Sequence, residues 1–126
     1  MPVKFKAIQK QNPQKRSEPA KWYPHAIGDG ETTLQDLANY ASSVSTVSKG
    51  DILAVLETVL TKVSADLSEG RIVRVGEYFT LQMGLTGLPS EKEEDVNATK
   101  VKSCHILFRP GKMLSDMIKL ATFKKL

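Results

Sequence analysis

The stretch Phe108-Arg109-Pro110-Gly111-Lys112-Met113-Leu114 joins two kinds of periodicity. Upstream, Val101, Ser103, His105 and Leu107 alternate with Lys102, Cys104, Ile106 and Phe108, the period-two pattern of a strand. Downstream, Leu114, Met117, Ile118 and Ala121 recur on one side of a 3.6-residue repeat, which predicts a closing helix with Lys124 and Lys125 near its negative end. Pro110 is expected early in that helix, where a missing N–H costs nothing. Arg109 and Lys112 flank its start, and the free amides and positive dipole end of a helix N-terminus favour an anion such as a phosphate. The plainer reading is a Pro-Gly turn between two solvated charges.

Working back along the chain, Ile72, Val73 and Val75 are β-branched, and Tyr78, Thr80 and Gln82 alternate with Phe79, Leu81 and Met83. Two strands joined near Gly76 account for this. The run from Thr86 to Asn97 holds Pro89, Glu91, Glu93, Glu94 and Asp95 and reads as a solvated acidic loop. Before the strands, Ile52, Val55, Leu56, Val59, Leu60, Val63 and Leu67 trace one apolar helical face, opened by Ser48 as a cap and stopped by Gly70. Such a stripe ordinarily packs in a core. An earlier helix is expected near residues 33 to 44, with Thr33 and Asp36 at capping-box spacing and Leu34, Leu37, Ala38 and Ala41 on one face. The first thirty residues hold two strand signals, Val3 to Ile8 and Lys21 to Ile27, which fit a hairpin with a long loop. Pro24 assigns the second strand to an edge. Trp22 and Tyr23 read as packing residues of that hairpin.

The chain has 126 residues and a net charge of +4, which favours polyanionic partners without a histone-like excess. Charge is segregated. Residues from Asp29 to Glu69 hold seven carboxylates against Lys49 and Lys62, whereas Lys100, Lys102, Arg109, Lys112, Lys119, Lys124 and Lys125 face Asp116 alone. Lys4, Lys6, Lys10, Lys15, Arg16 and Lys21 add six basic residues near the start; they fit either a DNA-contacting arm or a device for solubility. Cys104 is the single cysteine, so no internal disulfide and no metal-ligand cluster is expected. Cys104 and His105 are strand neighbours on opposite faces, which argues against thiol catalysis. Gly84-Leu85-Thr86-Gly87 lacks the Gly-Lys-Ser/Thr of a phosphate-binding loop. No signal peptide or membrane-spanning run is visible, so a cytoplasmic, non-enzymatic protein without cofactor is expected.

From residue 33 the order is helix, helix, strand, strand, loop, strand, short helix. This α+β order resembles the HU/IHF family of bacterial DNA-binding proteins, and several segments carry the likeness. Ile72-Val73-Arg74-Val75-Gly76 resembles the family's first strand and hairpin glycine, and Ala98-Thr99-Lys100-Val101 resembles the Ala-Ser-Lys-Val that opens its third strand. Phe108-Arg109-Pro110-Gly111-Lys112-Met113-Leu114 is similar to its Phe-[Lys/Arg]-Pro-Gly-Lys-x-Leu signature. The likeness covers about residues 31 to 122, within an HU/IHF-like domain of residues 31–126, with residues 1–30 as a strand-bearing extension of the kind found in a longer Bacteroides-type branch.

The resemblance implies a homodimer that binds double-stranded DNA, largely without sequence preference, in the bacterial nucleoid. Its DNA-contacting residues here are Arg74, Lys100, Lys102, Arg109, Pro110, Gly111 and Lys112. Alternation is expected to set Lys100 and Lys102 on one face of the third strand, and a basic sheet face results if Arg74 shares it. The sequence departs from the family at two places. Phe79 stands where a second hairpin glycine is usual, and the Arg-Asn-Pro of the DNA-kinking arms is missing, its loop being shorter and acidic. These departures favour the alternative of an HU-like interaction or assembly module that has lost DNA binding.

Overall fold

A computed structural model describes residues 2–126 as two compact units. One consists of Leu34–Asp116; the other joins the described residues up to Thr33 with Met117–Leu126.

In the larger unit, helix α1 (Leu34–Ser43) packs on helix α2 (Lys49–Ser68). Ser48 opens α2 with extended backbone, and its Oγ accepts a hydrogen bond from the Asp51 amide at 3.2 Å. That bond satisfies one of the amides a helix start leaves without a partner, worth about 1 kcal/mol. Gly70 closes α2 at φ +82°, while the Gly70 amide donates to Leu67 O at 3.0 Å and the Arg71 amide to Asp66 O at 3.0 Å. Paired bonds of this kind need a left-handed residue just past the helix, the role in which glycine is least strained.

Strand β3 (Val73–Val75), strand β4 (Phe79–Gly87) and strand β5 (Val101–Pro110) form an antiparallel sheet in that order. The β3–β4 turn needs only one glycine: Gly76 takes φ +51° and the Tyr78 amide returns to Val75 O at 2.9 Å. Phe79 has no positive φ and instead starts β4 opposite Pro110, its ring 5.7 Å from that of Phe108. Two short 3-10 turns, Glu93–Asp95 and Ala98–Lys100, lie between β4 and β5.

One face of this sheet is apolar, carrying Leu81, Met83, Ile106 and Phe108, and it packs against α2 around the buried Leu67. Yet the α2 stripe is not enclosed as its periodicity predicts. Among the described residues only Ala38 and Leu67 are buried hydrophobics, and Val55, Val59 and Leu60 are each more than half exposed. An apolar cleft of about 420 Å³ remains between α2 and the sheet, lined by Leu60, Val63, Leu67, Leu81, Met83 and Ile106. One chain presents more apolar helix face than its own sheet covers.

The final helix, α3 (Lys112–Leu120), starts two residues later than the sequence suggests. Pro110 ends β5, where its lack of an N–H terminates the ladder, and Gly111 forms the joint. Lys124 and Lys125 are not at a helix end. They lie in strand β6 (Phe123–Lys125), which runs parallel to strand β1 (Val3–Lys10). Strand β2 (Lys21–Ala26) pairs antiparallel with β1 and, as Pro24 requires, occupies an edge of the order β2-β1-β6. The last ten residues therefore group with the N-terminal strands. Trp22 and Tyr23 are not packed inward; they are 66% and 44% exposed, because a two-sided hairpin sheet leaves its edge strand uncovered.

Candidate nucleic-acid interface

The register of the β3-β4-β5 sheet sorts the expected site residues. Arg74 lies directly opposite Thr80, and Thr80 directly opposite Arg109, so one row crosses all three strands. Residues directly opposite in an antiparallel sheet share a face, and two strand spacings set the arginine backbones roughly 10 Å apart. Gln82 faces Leu107 in the next row, and His105 follows, its imidazole lying over Gly84 where a β-carbon would collide with it. This is the face turned away from the apolar side. Arg74, Thr80, Gln82, Leu107 and Arg109 border a shallow depression of about 220 Å³. Both arginines are exposed, and among the described residues neither joins an ion pair, so their charge is available to a ligand.

Lys100 and Lys102 do not join that row, contrary to the expectation of one basic strand face. Lys100 precedes the strand, in the 3-10 turn Ala98–Lys100, and its carbonyl accepts from the Leu88 amide at 2.8 Å. It borders a separate hollow of about 410 Å³ with Ser90, Glu91, Glu94 and Asp95. Lys102 is displaced by a bulge: Thr86 pairs with Ser103 and Gly87 with Val101, which leaves Lys102 as the extra residue. Counting back from Arg109, alternation assigns Lys102 to the face of Cys104, Ile106 and Phe108. Periodicity alone does not reveal a one-residue bulge at this point.

Pro110, Gly111 and Lys112 form the third element. The Gly111 amide donates to Tyr78 O at 2.7 Å and the Met113 amide to Glu77 O at 3.1 Å. The hairpin turn thus already occupies part of the helix start that the sequence offers to a phosphate. Gly111 is required because a β-carbon there would run into the Glu77 carbonyl oxygen. Its carbonyl accepts from the Ser115 amide at 2.9 Å, which makes Gly111 the cap of α3. Lys112, the first residue of the helix, is exposed and carries its charge into solvent beside this joint. Cys104 and His105 occupy successive positions of β5 opposite Leu85 and Gly84, so their side chains point to opposite faces.

Residues 1–125 match the family model HU-HIG, an HU domain fused to a wHTH, Ig, or glycine-rich motif. Among solved structures, the chain is similar to one from Bacteroides vulgatus ATCC 8482 described as a candidate bacterial DNA-binding protein. The two superpose with a TM-score of 0.68 at 14% identity, over 98% of this chain and 48% of that one. The chain therefore spans about half the length of that neighbour, and at this identity the likeness speaks for the fold. No curated protein sequence matches it.

Proposed function

The chain belongs to the HU-HIG family of HU domains fused to further motifs, and from that membership we propose that it binds double-stranded DNA without acting as an enzyme. The observation that carries this reading is the Arg74–Thr80–Arg109 row on the open face of the sheet, with two arginines that no carboxylate neutralises among the described residues. Such charges contact phosphates irrespective of base sequence, so the binding is largely sequence-tolerant and the role that of a nucleoid-associated architectural protein. Lys112 adds a cation at the start of α3, and Pro110 and Gly111 hold that start against the hairpin. The description of the Bacteroides vulgatus neighbour as a candidate DNA-binding protein agrees with this reading.

The functional unit is a homodimer. The exposed Val55, Val59 and Leu60 and the apolar cleft beside them support it, since a second copy would cover what one chain leaves open. Residues 31–126 are read as the HU-like body, with its closing strand β6 paired to β1 of the extension. A competing reading, an assembly module without DNA affinity, is favoured by one observation: Glu91, Glu93, Glu94 and Asp95 lie where an Arg-Asn-Pro arm would otherwise extend.

Titration of a random-sequence duplex at several salt concentrations separates the two. Binding that weakens steeply with salt is expected. The double variant Arg74→Glu, Arg109→Glu should flatten the slope of log affinity against log salt by about 1.8, the change expected when two phosphates are no longer neutralised. Absence of binding by the unmodified protein at low salt would leave the assembly module as the answer.

A further inference from the structure

The smaller unit is a sheet with two contrasting faces. Its register joins Phe5 with Ala26, Ala7 with Pro24, and Val3 with Phe123, so one face is largely apolar, with Lys125 beside Phe5 and Gln9 beside Trp22, and borders a hollow of about 420 Å³ lined by Val3, Phe5, Pro24, Ala26 and Phe123. The same register sets Lys4 beside Lys124, Lys6 opposite His25, and Lys10 opposite Lys21, all on the other face. We propose that this lysine-bearing face of the β2-β1-β6 sheet is a second contact surface for the phosphate backbone of duplex DNA. The proposal rests on the DNA-binding reading above and adds to it a surface outside the HU-like sheet.

Like charges directly opposite one another on a sheet face repel. Here Lys10 meets Lys21 and Lys4 meets Lys124 across strands about 4.8 Å apart. Of these lysines only Lys4 is ion-paired among the described residues, to Asp29 at 3.2 Å. Glu18 borders a small hollow with Lys10, Lys21 and Tyr23, but its carboxylate is 3.6 Å from Lys15 Nζ. Lys6, Lys10, Lys21 and Lys124 are exposed, and the face stays strongly positive after both carboxylates are counted. A polyanion laid across it relieves the repulsion and releases its own counterions.

The spacing and composition favour a duplex over other polyanions. Lys4 and Lys6 are about 6.6 Å apart along β1, and Lys10 extends the same row, a linear array suited to a linear run of phosphates. An anionic membrane would call for a continuous band of large apolar groups beside the lysines, whereas this face offers only the Ile8–Tyr23 pair, and Phe5, Trp22 and Phe123 lie on the opposite face. Single-stranded nucleic acid would call for successive aromatic platforms, and this face holds Tyr23 alone, Trp22 being on the other side.

The test is a fluorescence-anisotropy titration of the full chain and its variants with a random-sequence duplex across a salt series. The triple variant Lys6→Glu, Lys10→Glu, Lys21→Glu should bind at least tenfold more weakly at low salt and flatten the log–log salt slope by about 2.7, since three phosphates keep their counterions. Lys6→Gln, Lys10→Gln, Lys21→Gln, with circular dichroism to verify the fold, should show the same direction with a smaller loss. If both variants keep the parent slope while Arg74→Glu, Arg109→Glu flattens it, this second surface is wrong and the HU-sheet reading stands. A loss confined to the lysine variants upholds this surface and removes the arginine row from the site. Capture by phosphatidylserine vesicles that only the lysine variants lose, with duplex binding unchanged, would overturn the proposal in favour of a membrane face.

Discussion

Gly111 is packed against the carbonyl of Glu77 so closely that it has no room for a side chain, and this contact joins the start of α3 to the β3–β4 turn. The signature that suggests an anion site is thus first a structural joint. Gly111→Ala should destabilise the protein by about 1–3 kcal/mol, since the opposing group is backbone and cannot swing aside. Chemical denaturation would check this; an unchanged midpoint would mean that the turn shifts freely.

Two other glycines should respond in opposite directions. Gly70 holds φ +82° at the end of α2, so Gly70→Ala should cost about 1 kcal/mol, and asparagine should cost less. Gly50 lies in the first turn of α2 with open space at its β-carbon position, so Gly50→Ala should be neutral or stabilising by up to about 1 kcal/mol. Thermal melting of both variants tests the contrast, and equal shifts would defeat it.

Removing the α2 cap isolates a local contribution. Ser48→Ala deletes the acceptor for the Asp51 amide and should cost about 1 kcal/mol, whereas Ser48→Asp keeps it. Loss of stability in both variants would show that some other property of Ser48 matters.

Lys102 and Arg109 lie an odd number of residues apart on β5, so alternation sets these two cations on opposite faces of the sheet. Arg109→Gln should weaken duplex binding and reduce the salt slope by about 0.9, while Lys102→Gln should change it less. Equal effects measured by anisotropy would show that the sheet faces do not determine which cations meet the DNA.

The open α2 stripe predicts association. Val59→Lys should shift the protein toward monomer in sedimentation analysis, and the melting temperature of the parent should rise with concentration. A concentration-independent melt with a monomeric parent would refute the dimer.

Much of the fold is legible in local chemistry. The Ser48 cap, the Gly70 stop, the alternation of β4 and β5 and the edge position that Pro24 forces on β2 each depend on residues near one another, so spacing suffices to read them. The candidate site is legible only in part. Arg74 and Arg109 are identifiable as basic strand residues, but their shared row depends on the pairing of three strands.

The sequence by itself determined which segments are helical or extended, where the turns fall, and on which segments the positive charge collects, because these follow from side-chain size, backbone freedom and short-range hydrogen bonding. Tertiary structure alone decided three further matters. Phe123–Lys125 is extended because β1 supplies it with a hydrogen-bonding partner, although three residues carry no readable period. The bulge at Lys102 reverses the facing of Val101, which precedes it, since one unpaired residue shifts the alternation. And Lys4, Lys6, Lys10, Lys21 and Lys124, distributed over both ends of the chain, become one face only through a register that no local pattern encodes.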